Sequence, residues 1–544
     1  MVYLLLYLSV IVGFTAISAK DRFDYCLPSN SSCWPSQAQW SELKSKISGG
    51  KLHDISDNSE YNKVCDASSL DPNAAYTLQD EGEGRCMQYH DCSKEKCDDK
   101  ASWNIPEYSV EASEENDIIE AIKFANEHNI QVVVKTTGHN YAGASMGDGA
   151  LLIWMRHFKK YGDIIKAYEK CSETYDAVLK VGGGQIWEEA YKAVGNDYHM
   201  VGGGGLTVSA AGGWLNGGGL SASSRLYGMG IDQVVEFEVV TADGSKVTAS
   251  KCENDDLFWA LRGGGGGSFG VTTSVHYKLH ATEPFCEIAF TINDFYEPTW
   301  DIKTLVKWIG VLVDSAPTFD RKWGGYWTLN SGIFYYQGTD EELKRDEFLI
   351  KIASLGNIRW DGWKCAESYF AARGGPDNMS TDQTSQKEFN IASRLVPMSF
   401  VKDNPEKMKE ILEWMISNGF YTFNYIIGGK MMDVAADATA VHPAMRESVF
   451  QIETFDERLI QKLRDELPDS GAGFNHAAKN EPDWENQFWG SNRERLETLK
   501  KKWDPENRFN CWHCVGYLAK SDSGSVSFSL VFYFITLVIL LCSH

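Results

Sequence analysis

One histidine of the sequence, His139, lies where a strand-like segment ends. The β-branched run 131–135 leads into the loop 136–145, and Gly138 directly precedes the histidine. Ligands of α/β proteins bind at the carboxyl ends of strands. A histidine of this kind is most often a structural residue held by hydrogen bonds. The preceding glycine and the position at the strand end nevertheless favour a residue that reacts with a ligand.

Three further glycine clusters follow this loop and predict an extended ligand that carries phosphate. They cover 181–184, 201–219 and 263–270, and glycine is the compositional outlier, with 49 of 544 residues. Glycine lets the backbone approach a ligand without a Cβ atom, and successive backbone N–H groups bind anionic oxygens. The alternative is that these glycines form bulges and turns of a large sheet. Four clusters in one region, with His139 in the first, favour the ligand.

The segment 265–270 has the G-x-G-x-x-G spacing of nicotinamide-dinucleotide sites, but its context argues against one. That fingerprint requires a helix directly after it, because the helix N-terminus holds the pyrophosphate. Residues 271–277 alternate like a strand instead. We therefore exclude NAD as the ligand.

Local patterns predict the elements that position the His139 loop. Residues 108–110 form a short strand, Ser113 offers a helix cap, and apolar residues of 118–125 recur at helical spacing. The run 131–135 is the next strand, which completes a βαβ unit. From about residue 281 the glycine clusters thin out, which indicates a second domain.

Length and composition limit the class of protein. At roughly 150 residues per domain, a chain of 544 residues predicts about two to four folding units. Apolar residues at 43% and charged residues at 23% exclude a largely disordered chain. The formal net charge of −23 repels phosphate backbones, so we expect no nucleic-acid partner.

Both ends of the chain are apolar and predict entry into the secretory pathway. Residues 1–19 form an apolar run that ends in small residues, as in a signal peptide. The hydrophobic tail 526–542 is short for a bilayer span and is followed by no Lys or Arg, so we expect a GPI-anchor signal or a membrane anchor. An extracellular or cell-surface location follows, with membrane contact only through this tail. Asn30 and Asn378 begin triplets typical of N-glycosylation.

Thirteen cysteines agree with an oxidising compartment. Six of them lie in the segment 20–102, where disulfides are the plain interpretation, and their spacings match no zinc pattern. No metal site is predicted. Cys511 and Cys514 have the spacing of a thiol redox motif, but no thioredoxin-like unit surrounds them. We interpret them as a structural pair.

Four segments, in this order, resemble flavin-dependent oxidases of the berberine-bridge-enzyme and vanillyl-alcohol-oxidase superfamily, whose FAD-binding domain is of the PCMH type. The segments are VKTTGHNY (134–141), VGG (201–203), GGWLNGGG (212–219) and DLFWALRGGG (256–265). The resemblance runs from Cys33 to about residue 516. The segments 33–35 and 439–446 look most like the secreted fungal-type branch.

The resemblance implies an α+β fold with two parts. A two-part PCMH-type FAD-binding domain is joined to a central α+β substrate domain, in which helices cover an antiparallel sheet. The implied divisions are a disulfide-rich segment packed on the flavin domain, the flavin domain, the substrate domain and a C-terminal return to the flavin domain. Their bounds are 20–102, 103–281, 282–475 and 476–520.

The resemblance also implies that His139 is bonded covalently to the 8α-methyl group of FAD. Many members add a second bond from a cysteine in a G-G-x-C-P-T-V segment, but this chain has Gly205 at that position. We therefore expect one covalent bond and a lower flavin potential than in doubly linked relatives. The other residues expected to bind FAD are Thr136, Thr137, Gly138, Asn140, Tyr141, Gly143, Ala144, Ser145, Val201, Gly202, Gly203, Val208, Gly212, Gly213, Asn216, Gly217, Gly218, Gly270 and Val271.

Val208 falls at the family position that controls access of oxygen to the flavin. A small residue there accompanies oxidases, so we expect molecular oxygen as the acceptor and hydrogen peroxide as the product. The alternative for this residue is an ordinary core valine. The rival functions are a flavin dehydrogenase with another acceptor and a flavin-bearing surface or defence protein without turnover.

Flavin oxidation removes a hydride while a base takes a proton from the substrate. The resemblance places Tyr141 at the reactive face of the flavin and Tyr425 at the position that often supplies the base. A phenol with an ordinary pKa near 10 is a poor base unless a neighbour lowers that pKa. His476 is the candidate partner, as base or as orienter. The alternatives are a half-buried strand tyrosine and a structural histidine. We expect a hydroxyl-bearing small molecule or a carbohydrate as the substrate.

Overall fold

A computed structural model describes most of the chain. The described residues are 22–54, 106–140, 142–158, 161–292, 302–372, 391–467 and 470–520. Several predicted features lie outside them: the signal peptide 1–19, the tail 526–542, Tyr141, Asn378, Cys65, Cys86, Cys92 and Cys97. Among the described residues, no helix has both the length and the apolar character that a bilayer crossing requires.

Strands and helices alternate along the described ranges. The strands are β1 (Arg22–Phe23), β2 (Leu52–Asp54), β3 (Tyr108–Glu111), β4 (Val132–Lys135), β5 (Leu151–Trp154), β6 (Ile164–Lys170), β7 (Glu173–Gly182), β8 (Tyr198–His199), β9 (Val234–Val240), β10 (Lys246–Ser250), β11 (Val271–Lys278), β12 (His280–Ala281), β13 (Phe285–Ile292), β14 (Trp323–Trp327), β15 (Ser331–Gln337), β16 (Ile358–Ala366), β17 (Ala392–Pro397), β18 (Thr422–Ile426), β19 (Ser448–Thr454) and β20 (Ala519–Lys520).

The helices vary from one turn to four turns in length. They are α1 (Gln37–Lys46), α2 (Glu115–Glu127), α3 (Trp187–Val194), α4 (Gly213–Asn216), α5 (Ser224–Tyr227), α6 (Asp255–Leu261), α7 (Ile302–Ser315), α8 (Asp340–Leu343), α9 (Glu347–Ala353), α10 (Tyr369–Ala372), α11 (Met398–Asp403), α12 (Pro405–Ser417), α13 (Glu457–Glu466), α14 (Trp484–Trp489) and α15 (Arg493–Trp503). Short 3-10 turns are Ser48–Gly50, Gly230–Asp232, Ala316–Thr318, Gly429–Asp433, Pro443–Arg446, Phe474–His476 and Gly490–Asn492.

The predicted βαβ unit is present and forms part of a small sheet. Strands β3, β5 and β4 pair in parallel, and β2 pairs antiparallel with β3 in the described part of this sheet. The N-cap of helix α2 is Glu114, one residue later than the predicted cap, Ser113. The side chain of Asp117 accepts hydrogen bonds from the backbone N–H groups of both Ser113 and Glu114. Ile118 and Ile122 are fully buried in the core behind the sheet.

The second part of the predicted flavin domain (103–281), called the flavin region below, is an antiparallel sheet. Its described strand order is β10-β9-β11-β7-β6. Strand β11 begins at Val271, directly after Gly270. A strand, and not a helix, therefore follows the segment 265–270, which confirms that this segment lacks the context of a nicotinamide site.

A larger antiparallel sheet carries the residues after 281. Its described strand order is β16-β13-β15-β14-β18-β19-β17, and every pairing in it is antiparallel. Helices α7 and α12 contact each other and bury their apolar residues in the core on one face of the sheet. Because side chains alternate along a strand, Trp323 and Trp327 of β14 enter that core. The side chain of the neighbouring residue Tyr326 lies on the opposite face of the sheet.

The chain returns to the flavin region through α15. The Nζ atom of Lys500 in this helix is buried and donates to the carbonyl oxygens of Ser268 and Phe509, each at 2.7 Å, and contacts Asp504 at 2.8 Å. The backbone N–H of Val132 donates to the carbonyl of Arg508 at 2.9 Å. The C-terminal residues around Arg508 therefore lie beside β4.

Four disulfides lie within the described residues. They are Cys26–Cys33, Cys171–Cys252, Cys286–Cys365 and Cys511–Cys514. Cys511 and Cys514 are 2% and 0% exposed. Pairing of these two cysteines inside the core agrees with the structural role expected for them.

Candidate functional site

A cavity of about 790 Å³ lies between the flavin region and the large sheet. Both regions contribute to its surface, because residues of the His139 loop and residues of β18 and β19 line the same space. The glycine clusters around 183, 204, 213 and 266 also reach it. The loops that the sequence predicts to meet at one ligand do converge.

Most of the residues predicted to bind FAD line this cavity. They are Thr136, Thr137, Gly138, His139, Asn140, Ala144, Ser145, Val208, Gly212, Gly213, Asn216, Gly217 and Gly270. Asn140 folds the loop on itself, since its Oδ1 atom accepts from the backbone N–H of Gly143 at 2.6 Å and of Ala144 at 2.9 Å. The imidazole of His139 lies beside Thr207, with 2.8 Å between Nε2 and Oγ1.

The remaining predicted flavin residues that the structure describes are not part of the cavity surface. They are Gly143, Val201, Gly202, Gly203, Gly218 and Val271. Gly202 and Gly203 pack against Trp187, because a Cβ atom at either position would come within 2.5 Å and 2.7 Å of the indole ring. These two glycines serve close packing on an indole ring, which is neither of the two roles that the sequence had suggested for the cluster. Tyr141 lies outside the described residues.

Two observations show that this surface fits FAD. A Cβ atom at Gly213 would meet no atom within 4 Å, and Gly213 lines the cavity, so the missing side chain leaves room in the cavity itself. The Oγ atom of Ser209 is buried on the same surface and has no hydrogen-bond partner among the described residues. Glycine-rich backbone and an unused hydroxyl suit a ligand that carries phosphate and ribityl oxygens.

The structure brings Tyr425 and His476 together on the opposite wall. Tyr425 lies on β18 and His476 in the turn Phe474–His476, and the two rings stack with centroids 5.6 Å apart and an angle of 25°. Both residues line the cavity. The two candidates for proton transfer are therefore neighbours, although 51 positions separate them in the sequence.

Sequence reasoning missed a third member of this group, Glu453. One of its carboxylate oxygens lies 2.8 Å from Nδ1 of His476 and accepts a hydrogen bond from Nε2 of Gln451 at 2.6 Å. Glu453 is 1% exposed, so its charge has few partners other than these. The sequence signal for this group was in β19, a fully buried strand in which the polar residues Gln451 and Glu453 lie two positions apart.

Electrostatically, the cavity surface is almost neutral. Among the described residues that line it, no Lys, Arg or Asp is present, and Glu453 is the one carboxylate. The cavity lining therefore offers no Lys or Arg cation to an anionic group of a ligand. Backbone N–H groups must therefore supply most of the binding of an anionic cofactor group.

Comparison with known proteins agrees with this site. A family model described as "FAD binding domain" matches residues 106–250, and one described as "Berberine and berberine like" matches residues 474–515. These two ranges contain the His139 loop and His476, respectively. The strands β18 and β19, which carry Tyr425 and Glu453, lie outside both matched ranges.

Relatives with curated names are similar along most of the chain. An uncharacterized FAD-linked oxidoreductase of Arthroderma benhamiae is 29% identical over 89% of this chain and 93% of its own length. The bifunctional decalin synthase calF of Penicillium decumbens is 31% identical over 76% of this chain and 77% of its own length. These relatives carry the similarity beyond the two matched domains.

Solved structures confirm the predicted fold class. The VAO-type flavoprotein MtVAO615 of Myceliophthora thermophila has a TM-score of 0.74 at 26% identity, over 91% of this chain and 97% of its own. The glucooligosaccharide oxidase of Acremonium strictum, which carries 6-S-cysteinyl, 8α-N1-histidyl FAD, has a TM-score of 0.63 at 22% identity, over 76% and 92%. The second likeness concerns the fold alone. On these grounds, the chain belongs to the vanillyl-alcohol-oxidase and berberine-bridge-enzyme superfamily of FAD-linked oxidoreductases.

Proposed function

We propose that this FAD-linked oxidoreductase is an oxidase with one covalent bond between His139 and the flavin. In this proposal it oxidises a hydroxyl-bearing small molecule or a carbohydrate and passes the electrons to oxygen, which yields hydrogen peroxide. The observation that carries the proposal is one cavity lined both by His139 and by the Tyr425–His476 pair.

A single covalent bond follows from the residue that faces the cavity near His139. Gly205 lines the cavity at the position where doubly linked members have a cysteine, and it has no side chain that could bond the flavin. The glucooligosaccharide oxidase of Acremonium strictum, by contrast, has both a cysteinyl and a histidyl bond to its FAD. In this chain the histidyl bond is the one that remains available.

The Glu453–His476–Tyr425 group is suited to remove the proton of a substrate hydroxyl. FAD, when bound, accepts the hydride from the substrate carbon. With Nδ1–H donated to Glu453, His476 keeps Nε2 as a proton acceptor, and the carboxylate stabilises the imidazolium that forms. Tyr425 stacks on the imidazole and fixes its plane. The substrate loses one hydride and one proton and becomes a carbonyl compound.

Removal of His139 tests the covalent bond. In His139→Ala we expect the yellow colour to leave the protein on acid precipitation, whereas in the wild type it stays, because only a covalent bond survives denaturation. His157→Ala is the matched control, since His157 is exposed and does not line the cavity. Colour that stays with the precipitated His139→Ala protein contradicts the proposed bond.

A methyl group at Gly213 tests the position of the cofactor. Gly213→Ala leaves the folded protein unstrained but fills space in the cavity, so we expect a lower ratio of flavin absorbance to protein absorbance. Gly310→Ala is the control, because a Cβ atom there also meets nothing within 4 Å but lies in α7, away from the cavity. Equal flavin content in the two variants would place the cofactor elsewhere.

The electron acceptor is tested by comparing oxygen with a dye. We expect peroxide formation in air to match substrate consumption in the wild type. In Val208→Leu, the larger side chain should slow peroxide formation more than it slows dye reduction under argon, because Val208 lines the cavity. A wild-type protein that reduces the dye without forming peroxide is a dehydrogenase.

Loss of the Glu453 carboxylate tests the proton-transfer group. In Glu453→Gln we expect kcat to fall at least about tenfold, because the imidazolium is no longer stabilised. Glu447→Gln, an exposed neighbour of β19, should leave kcat unchanged. A kcat in Glu453→Gln equal to that of the wild type contradicts the role of Glu453.

A further inference from the structure

The disulfide between Cys511 and Cys514 packs against a glycine loop of the cavity. The Sγ atom of each cysteine lies 3.7 Å from the carbonyl oxygen of Gly266. A Cβ atom at Gly267 would come within 3.4 Å of one sulfur and 3.8 Å of the other, and both glycines line the cavity. Gly266 in turn packs on Gly213, since a Cβ atom at Gly266 would come within 2.8 Å of its Cα atom. The disulfide therefore lies against the backbone that forms the cavity surface.

The same disulfide also packs against the support of the His139 loop. The two cysteines share a buried cluster with Ala144 and Trp154. Ala144 belongs to the His139 loop and lines the cavity. The Nε1 atom of Trp154 donates to the carbonyl oxygen of Thr136, the first residue of this loop, at 3.1 Å. One buried pair of sulfur atoms therefore lies between two of the loops that converge on the cavity.

The turn that carries the two cysteines is fixed by further contacts. The backbone N–H of Cys514 donates to the carbonyl oxygen of Cys511 at 2.9 Å. His513, one of the two residues between them, is 2% exposed and has a φ of 63°, a conformation that persists in residues other than glycine only where the surroundings hold it. The backbone N–H of Val515 donates to Oγ of Ser268, in the same glycine loop, at 3.2 Å. A hydrogen bond therefore joins the turn to the glycine loop in addition to the sulfur contacts.

The short loop that this disulfide closes indicates that its effect is local. Three positions separate Cys511 from Cys514, whereas 81 separate Cys171 from Cys252. In the chain-entropy account, a disulfide that closes a shorter loop stabilises the folded state less, because it restricts the unfolded chain less. The contribution of the Cys511–Cys514 bond therefore depends mainly on the backbone that it contacts in the folded chain.

We propose that the Cys511–Cys514 disulfide positions the loops that hold FAD. As one rigid unit it sets the distance between the His139 loop and the glycine loop 263–270, so that both face the cofactor before it binds. The two sulfur atoms act through these loops and take no part in the reaction. This inference goes beyond the proposed function, because it requires FAD in the cavity but neither a particular substrate nor a particular electron acceptor.

Removal of the bond tests this role through the flavin content. In Cys511→Ala/Cys514→Ala we expect the ratio of flavin absorbance to protein absorbance of the purified chain to fall at least about threefold, because the freed loops must be ordered again when the cofactor binds. The fraction of flavin that stays with the acid-precipitated protein should also fall, since a covalent bond forms only when His139 is held beside the cofactor.

A second disulfide provides the matched control. Cys171→Ala/Cys252→Ala removes a bond between two residues that do not line the cavity, and this bond closes the longer loop. We expect a lower melting temperature in this variant but the flavin ratio of the wild type. If disulfides act on flavin content only through overall stability, the control loses flavin as well, and this result overturns the proposal.

The single variants separate the bond from the volume of the two side chains. Cys511→Ala and Cys514→Ala each break the bond, so each should lower the flavin ratio as much as the double variant does. Independent packing effects would instead add, and the loss in the double variant would equal the sum of the two single losses. Additive losses, or a double variant with the flavin ratio of the wild type, overturn the proposal.

Ser268→Ala tests the same loop with the disulfide in place. It removes the acceptor for the backbone N–H of Val515, so we expect a fall in the flavin ratio that is smaller than in the double cysteine variant. Ser250→Ala is the control, because it removes a buried hydroxyl beside Cys171 and Cys252 and should keep the flavin ratio of the wild type. If the double cysteine variant is insoluble, an unchanged flavin ratio in Ser268→Ala overturns the proposal.

Failure of this inference is distinct from failure of the proposed function. Flavin that leaves the wild type on acid precipitation refutes the histidyl bond, while the flavin ratios of the cysteine variants still decide the role of the disulfide. Equal flavin ratios in the wild type and the double cysteine variant refute the positioning role and leave the oxidase proposal intact. A wild-type chain without any flavin overturns both.

Discussion

Close approach of glycine backbone to distant segments of the chain is the constraint on which this molecule depends. A Cβ atom at Gly263 would collide with the backbone of Val441, and one at Gly217 would collide with the side chain of Asn475. Val441 lies between β18 and β19 of the large sheet, and Asn475 follows β19. Both contacts therefore join the glycine-rich flavin region to this later part of the chain. The glycines therefore allow the two walls of the cavity to meet at van der Waals distance, in addition to leaving space for a ligand.

This dual use explains why so few charged side chains line the cavity. Glycine-rich loops supply N–H groups and one free volume at Gly213, and they bring no charged side chains. On the opposite wall, Glu453 contacts His476, which stacks on Tyr425. In the proposed function, one wall binds the cofactor and groups of the other wall take the proton of the substrate.

Local patterns predicted much of the fold. Strands β4 and β11 and the helix α2 were visible from alternation and from helical spacing, because each pattern depends on neighbours in the sequence. The cap of α2 was misplaced by one residue, since Ser113 and Glu114 both offer groups that a helix start uses. The sequence did not predict the order of the seven strands in the large sheet, because that order depends on pairings between residues far apart in the chain.

The sequence by itself determined the family, the loop that carries His139, and the absence of a cysteine at Gly205, because these are properties of residue identity and spacing. Only the tertiary structure decided which glycines face the cavity and which, like Gly202, pack on Trp187. It also decided that Glu453 joins His476, since a carboxylate on a buried strand acquires its partner from the element packed across it. Residue identity is a local property of the sequence, whereas a site formed by two walls exists only after folding has brought distant segments together.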